Sequence, residues 1–160
     1  AILNDAKLSR ITLHPRLGCE QYRKPADTEE FATFYEECRH PLVYNGDLTS
    51  IKDMQNIAER FPRLEGLMIG RGLLARPSLA QEYAEGGEWS HEEHIRTLRT
   101  LHAKLMEEYG RIVKGDAQLH SKLRTFWEYT ELLIGRKPYK KIMKSGNLRN
   151  YMNAIEQLRT

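Results

Sequence analysis

The sequence predicts a mixed fold: an α/β unit with parallel strands, followed by an all-α helical bundle. Three observations lead there. Two short apolar runs, Leu42–Tyr44 and Leu67–Ile69, each stop at a glycine turn, and between them Ile51, Met54, Ile57 and Phe61 recur at helical spacing. The same strand-then-helix order comes once before, as Arg10–Leu13 followed by Phe31, Phe34, Tyr35 and Cys38 on one helical face. From Ser90 onward only helical periodicity is found.

Taken in order, Ala1–Leu8 reads as the end of a helix or a connector, with no initiator Met before it. Arg10–Leu13 is a β-prone run ending in His14-Pro15-Arg16, and Leu17–Ala26 is a polar loop. Asp27 with Glu30 forms the pattern of a capping box for the next helix, which places Cys38 in the core. Pro41 opens the second strand, and the third ends at Gly70. Three parallel strands need cover on both faces and partners at their edges. The expectation is therefore the C-terminal part of a longer (β/α) protein. A helical segment over Leu73–Glu85 is interrupted at Pro77, and Gly86-Gly87 suggests the domain boundary, giving domains 1–87 and 88–160. Ser90 and Glu93 form a second capping box, for a helix ending at Gly110. A helix over about Ala117–Ile134, a shorter one from Pro138 and a last one capped by Asn147 complete the bundle.

Hydrophobic residues make up 40% of the 160 and charged residues 29%, as in an ordinary globular protein. No apolar run approaches the roughly 20 residues of a membrane span, and no secretory leader pattern opens the chain. Cys19 and Cys38 make neither a metal nor a disulfide pattern, so they read as reduced thiols and the location as cytoplasmic. The net charge of +3 is uneven: residues 117–160 hold nine Lys or Arg against three Glu. A basic tail on a mildly acidic body fits a polyanion partner such as nucleic acid, or equally a solvated lysine face.

Two glycine turns at the carboxyl ends of parallel strands lie where α/β sheets and barrels bind ligands. Gly46 and Gly70 let the backbone approach a ligand without a Cβ, and N–H groups there and at the next helix N-terminus can hold a phosphate. Arg71 adds a planar positive fork. Taken singly, Asn-Gly-Asp and Gly-Arg-Gly are also common turn tripeptides.

Residues 11–79, from Ile-Thr-Leu-His-Pro-Arg through Asn-Gly-Asp to Met-Ile-Gly-Arg-Gly-Leu-Leu-Ala-Arg-Pro-Ser-Leu, resemble the second half of the barrel of tRNA-dihydrouridine synthases. The helical 90–159 region resembles that family's C-terminal tRNA-binding domain. The resemblance implies the last three strands of a (β/α)8 TIM barrel and an FMN-dependent oxidoreductase. Such enzymes use NADPH as reductant to convert uridine in tRNA to 5,6-dihydrouridine. Carried over by residue, His14, Asn45, Gly46, Asp47, Gly70 and Arg71 resemble the cofactor-binding set, with His14 against the flavin and the others along its ribityl-phosphate. Arg16 and Tyr22 fall where the family contacts the flipped-out uridine. Lys122, Arg124, Lys137, Lys140, Lys141 and Lys144 are the candidate tRNA-phosphate contacts, with His120 among them. The family's proton-donor cysteine and flavin-touching lysine belong to the first half of the barrel, and neither Cys19 nor Cys38 sits in that context. No catalytic residue and no metal ligand is therefore assigned here. The chain by itself is expected to be inactive, to bind flavin weakly and to self-associate through open sheet edges. Two other readings share some of these residues: another FMN-binding (β/α) barrel acting on a small molecule, and an RNA-binding module without catalysis.

Overall fold

The computed structural model describes residues 2–20 and 23–158, which form two compact units, Ala1–Gly72 and Leu73–Thr160. In the first, β1 (Ile11–Leu13), β2 (Leu42–Asn45) and β3 (Leu64–Met68) form a parallel sheet in the order β1-β2-β3. Leu13 lies beside Tyr44, and Asn45 beside Met68, so all three strands finish on one rim. Helices α1 (Thr28–Glu37) and α2 (Ile51–Arg60) make the crossovers. Their apolar faces meet β2 in an aromatic cluster: Phe31 packs edge-on against Tyr44 (ring centroids 4.7 Å apart) and Phe61 (5.0 Å). Cys38 is buried, as the helical spacing predicts.

The starts of these helices are set by their sequences. Ser50 accepts from the Asp53 N–H while the Asp53 carboxylate accepts from the Ser50 N–H, a closed capping box. At α1 the box expected for Asp27 and Glu30 stays half made. The Asp27 carboxylate caps the N–H groups of Glu29 (3.0 Å) and Glu30 (3.1 Å). Its own N–H instead donates to the Pro15 carbonyl at 2.7 Å. That bond ties the loop after β1 to the first turn of α1.

Helix α3 (Arg71–Ala75) begins with the last two residues of the first unit, and the second unit holds α4 (Leu79–Glu85), α5 (His91–Ile112), α6 (Asp116–Arg124), α7 (Glu131–Ile134), α8 (Arg136–Met143) and α9 (Leu148–Glu156). The expected boundary near Gly86-Gly87 is not where the compact units divide. Gly86 is a left-handed helix cap (φ 71°), and Gly87 N–H returns to the Glu82 carbonyl at 3.2 Å. Glu82 itself is fully buried among helical-unit groups: Arg76 at both carboxylate oxygens, Ser78 Oγ at 2.5 Å and the Trp89 N–H at 2.7 Å. The glycine pair caps α4, and Glu82 fastens α4 to the segment entering α5.

Two other expected ends move. Gly110 does not stop α5, which continues to Ile112, with Arg111 paired to Glu107 (2.5 Å) and Glu108 (2.6 Å) across that turn. The helix expected over 117–134 breaks after Arg124 into a 3-10 turn, Thr125–Trp127. There the buried Trp127 indole donates to Tyr151 Oη at 2.8 Å, and Tyr151 donates to the Leu123 carbonyl at 3.1 Å. His102 Nε2 meets the same hydroxyl at 2.7 Å. Satisfying these buried polar atoms outweighs a continuous helix. Around them Ile95, Leu98, Leu123, Ile142 and Ile155 close the core.

Candidate functional site

The carboxyl rim of the sheet gathers three loops: His14-Pro15-Arg16 after β1, Asn45-Gly46-Asp47 after β2, and Ile69-Gly70-Arg71 after β3. Asp47 is where they join. Its Oδ2 accepts from Arg16 Nη2 at 2.5 Å and from the Ala26 N–H at 2.7 Å, and its Oδ1 faces Arg71 Nη2 at 3.3 Å. The two glycine turns are thus neighbours on one rim, bridged by an ion pair.

Asp47 stands at φ 43°, the left-handed region that aspartate tolerates better than most residues. Burial alone would raise its carboxyl. The hydrogen bonds from Arg16 and Ala26, with the charges of Arg16 and Arg71, outweigh that and hold it below the usual range. The two arginines differ. The Arg16 side chain is only 5% exposed and the Arg71 side chain 39%, so one is built in and the other faces outward. Two guanidiniums meeting at one carboxylate concentrate positive charge at the rim, which suits an anion.

The glycines act differently from expectation. A Cβ at Gly46 would lie 2.9 Å from both the Ala26 Cβ and Tyr44 Oη, so internal packing already requires glycine there. Around Gly70 no atom lies within 4 Å of a built Cβ, so that turn is open. Gly72 is the position sequence reasoning passed over: a Cβ there would fall onto the Leu48 carbonyl oxygen, and its absence lets α3 start against the loop after β2. Since α3 has only five residues, the Arg71 guanidinium is the principal positive group at the rim, rather than a helix dipole. His14 is half-buried and, with Arg16, Glu20 and Asp27, lines a cleft of about 520 Å³ beside α1. Asn45 is half-buried at the end of β2, and Tyr22 lies outside the described residues.

In the helical unit, Lys137, Lys140 and Lys141 project from α8 into solvent opposite its buried Ile142, and Lys144 caps it. Lys141 Nζ is bonded to Gln157 Oε1. Lys122 is exposed at the end of α6, whereas Arg124 sends Nη1 to the Met143 carbonyl at 3.4 Å, closing the end of α8. His120 does not belong to this face: it is buried and bonded to Ser145 Oγ at 2.9 Å. Among the described residues, no group of three His, Cys, Asp or Glu could hold a metal, and no helix is long and apolar enough to cross a membrane.

The described chain is thus a parallel α/β sheet with arginines collected at its carboxyl rim, followed by a helical unit with a lysine-bearing helix. Comparison with known proteins names the family. The profile of the family "Dihydrouridine synthase (Dus)" matches residues 1–160. The chain is 31% identical over 126 residues to the tRNA-dihydrouridine(16) synthase of Pseudomonas syringae pv. tomato, covering 79% of this chain and 33% of that protein. It is 32% identical over 120 residues to a Homo sapiens protein named tRNA-dihydrouridine(47) synthase NAD(P)(+)-like (71% and 18%). It is 33% identical over 82 residues to the tRNA-dihydrouridine(16) synthase of Aquipseudomonas alcaligenes (51% and 26%). The chain belongs to the dihydrouridine synthase family, and spans a third or less of the length of these relatives.

Proposed function

We propose that the chain is the C-terminal portion of an FMN-dependent tRNA-dihydrouridine synthase. In this reading its sheet is the last three strands of a (β/α)8 barrel, and its helical unit is the tRNA-binding domain. The observation that carries the proposal is the shared rim, where Arg16, Asp47 and Arg71 from three successive strand-end loops meet within hydrogen-bond reach. Loops at this rim, after the last strands, are where such barrels bind phosphate.

The residues present fit the anionic end of FMN. Arg71 faces outward beside the open Gly70 turn, and Asp47 orients it. Arg71 would hold the phosphate, Gly70 would let it approach, and Asn45 and His14 would lie on the side of the ring. A reduced flavin bound there would supply hydride to the uracil 5,6 double bond, with NADPH as the source of its electrons. Arg16, held by Asp47 at the mouth of the cleft that His14 lines, offers hydrogen bonds to an extruded base, whose edge needs partners once it leaves the stack. Neither thiol is placed as a donor to that base: Cys38 is buried, its Sγ 3.7 Å from the His40 carbonyl, and Cys19 is exposed in a 3-10 turn. The proton donor is therefore assigned outside these residues. Lys122, Lys137, Lys140, Lys141 and Lys144 track tRNA phosphates without reading sequence. The relatives' names carry different tRNA positions, 16 and 47, so the shared reading is the reduction itself.

The test is the parent-length protein. It should purify with, or take up, a flavin with visible absorbance, and form dihydrouridine in unmodified tRNA on addition of NADPH. A protein that cannot be reconstituted with FMN contradicts the proposal.

A further inference from the structure

We propose that Asp47 is a positioning residue coupling Arg16 to Arg71: it fixes Arg16 permanently and presents Arg71, which it releases to an arriving phosphate. The inference rests on the reading of these strand-end loops as an anion site, and adds a device that links its two sides.

The asymmetry of the cluster carries it. Oδ2 of Asp47 is doubly occupied, by Arg16 Nη2 at 2.5 Å and by the Ala26 N–H at 2.7 Å. This half is short, and the Arg16 side chain is 5% exposed. Removing a partner from a buried charge is costly, so this interaction persists through ligand binding. Oδ1 makes the longer approach, 3.3 Å to Arg71 Nη2, with side chains 39% and 34% exposed. An exposed ion pair of that kind contributes at most about 1 kcal/mol. A phosphate, with more charge and three acceptor oxygens, displaces the carboxylate from Arg71 at little cost. Before binding, the same ion pair keeps the long Arg71 side chain at the rim, which lowers the entropy lost on capture. The Ala26 bond and the left-handed backbone at Asp47 (φ 43°) fix where the carboxylate stands. Once Arg71 turns to the anion, Arg16 is the charged partner that Asp47 keeps, beside the Ala26 N–H, so phosphate capture strengthens the hold on the arginine facing the neighbouring cleft. The two sides are thereby linked through one carboxylate.

The test uses the chain labelled with 15N and 13C, titrated with inorganic phosphate and followed at the arginine guanidinium and Asp47 carboxyl signals. Arg71 Nε and the Asp47 carboxyl carbon should shift together along one binding curve, while the Arg16 signals stay protected from exchange. Asp47→Asn keeps the size and tolerates the left-handed backbone. It should expose the Arg16 signals to exchange and weaken phosphate by about two- to fivefold, within what an exposed pair of this kind can contribute. An Asp47→Asn chain that binds phosphate as tightly as the parent, or more tightly, overturns the proposal, because Asp47 is then only a competitor. Should that variant not fold, the parent decides: Arg71 shifting with phosphate while the Asp47 carboxyl does not also overturns it. No phosphate response at Arg71 overturns the proposal together with the anion-site reading. A coupled phosphate response in a chain whose parent-length protein takes up no FMN upholds the proposal and removes only the flavin.

Discussion

Arg71 and Asp47 face each other across two neighbouring strand-end loops, Nη2 to Oδ1 at 3.3 Å, and both are partly open to solvent. Such a pair adds little to stability, so the Arg71 end of it can be altered without unfolding the rim. Arg71→Gln is expected to change the unfolding free energy by less than about 1 kcal/mol, measured by denaturant titration. A larger loss would mean that Arg71 holds the loops together.

Gly70 and Gly72 are two residues apart and should respond oppositely. Gly72→Ala drives a Cβ into the Leu48 carbonyl oxygen and is expected to cost about 1–3 kcal/mol, the usual range for overpacking. Gly70→Ala meets no atom within 4 Å and should leave stability nearly unchanged. Any effect of the second variant on phosphate or FMN binding is then a statement about ligand space.

Acid sensitivity should come in large part from the helical unit. Burial pushes Glu82 up, but hydrogen bonds from Arg76, Ser78 and the Trp89 N–H outweigh it and bring the carboxyl to about 2, against 4.5 ordinarily. The folded value lies below the unfolded one, so the stabilisation is present above pH 4.5 and is lost as pH falls towards 2. It amounts to on the order of 3 kcal/mol. Burial brings His102 down to about 4 from 6.5, so its contribution is intact above 6.5 and is lost between 6.5 and 4. Denaturant titrations at several pH values should show both losses. His102→Gln should flatten the upper window and Glu82→Gln the lower.

The lysines of α8 should act by charge alone. Replacing Lys137, Lys140 and Lys141 by Gln is expected to weaken tRNA binding of the parent-length protein about equally for all sequences. The slope of log affinity against log salt should become shallower by about one unit for each phosphate no longer neutralised. Unchanged affinity and slope would make this a solvated face.

Much of this arrangement is legible in the sequence, for physical reasons. Strand-glycine-helix order places β2 and α2 correctly and helical spacing puts Cys38 in the core, whereas β3 runs over Leu64–Met68 rather than the apolar run Leu67–Ile69. Capping residues Asp27, Ser90 and Asn147 mark true helix starts, while the Ser50 cap is recognised only from its closed box with Asp53. What escapes depends on interactions distant in sequence. Nothing local shows that Leu123 must accept from Tyr151 and so break a helix, or that Glu82 ties α4 to the helical unit. Arg16, Asp47 and Arg71 stand out one by one, but their meeting at one carboxylate is a property of parallel register and of loop return at Ala26. Gly72 hides behind the more conspicuous Gly70 because open turns and close packing look alike in sequence.

The central claim is that this rim grips the phosphate of a flavin, and one comparison addresses it. Dissociation constants for FMN and for riboflavin, which lacks the phosphate, are measured by fluorescence quenching on the parent-length protein and on its Arg71→Gln variant. The account predicts that the parent prefers FMN, and that Arg71→Gln loses most of that preference while its riboflavin affinity stays the same. An FMN preference that survives the substitution, or a parent that does not distinguish the two, would contradict it.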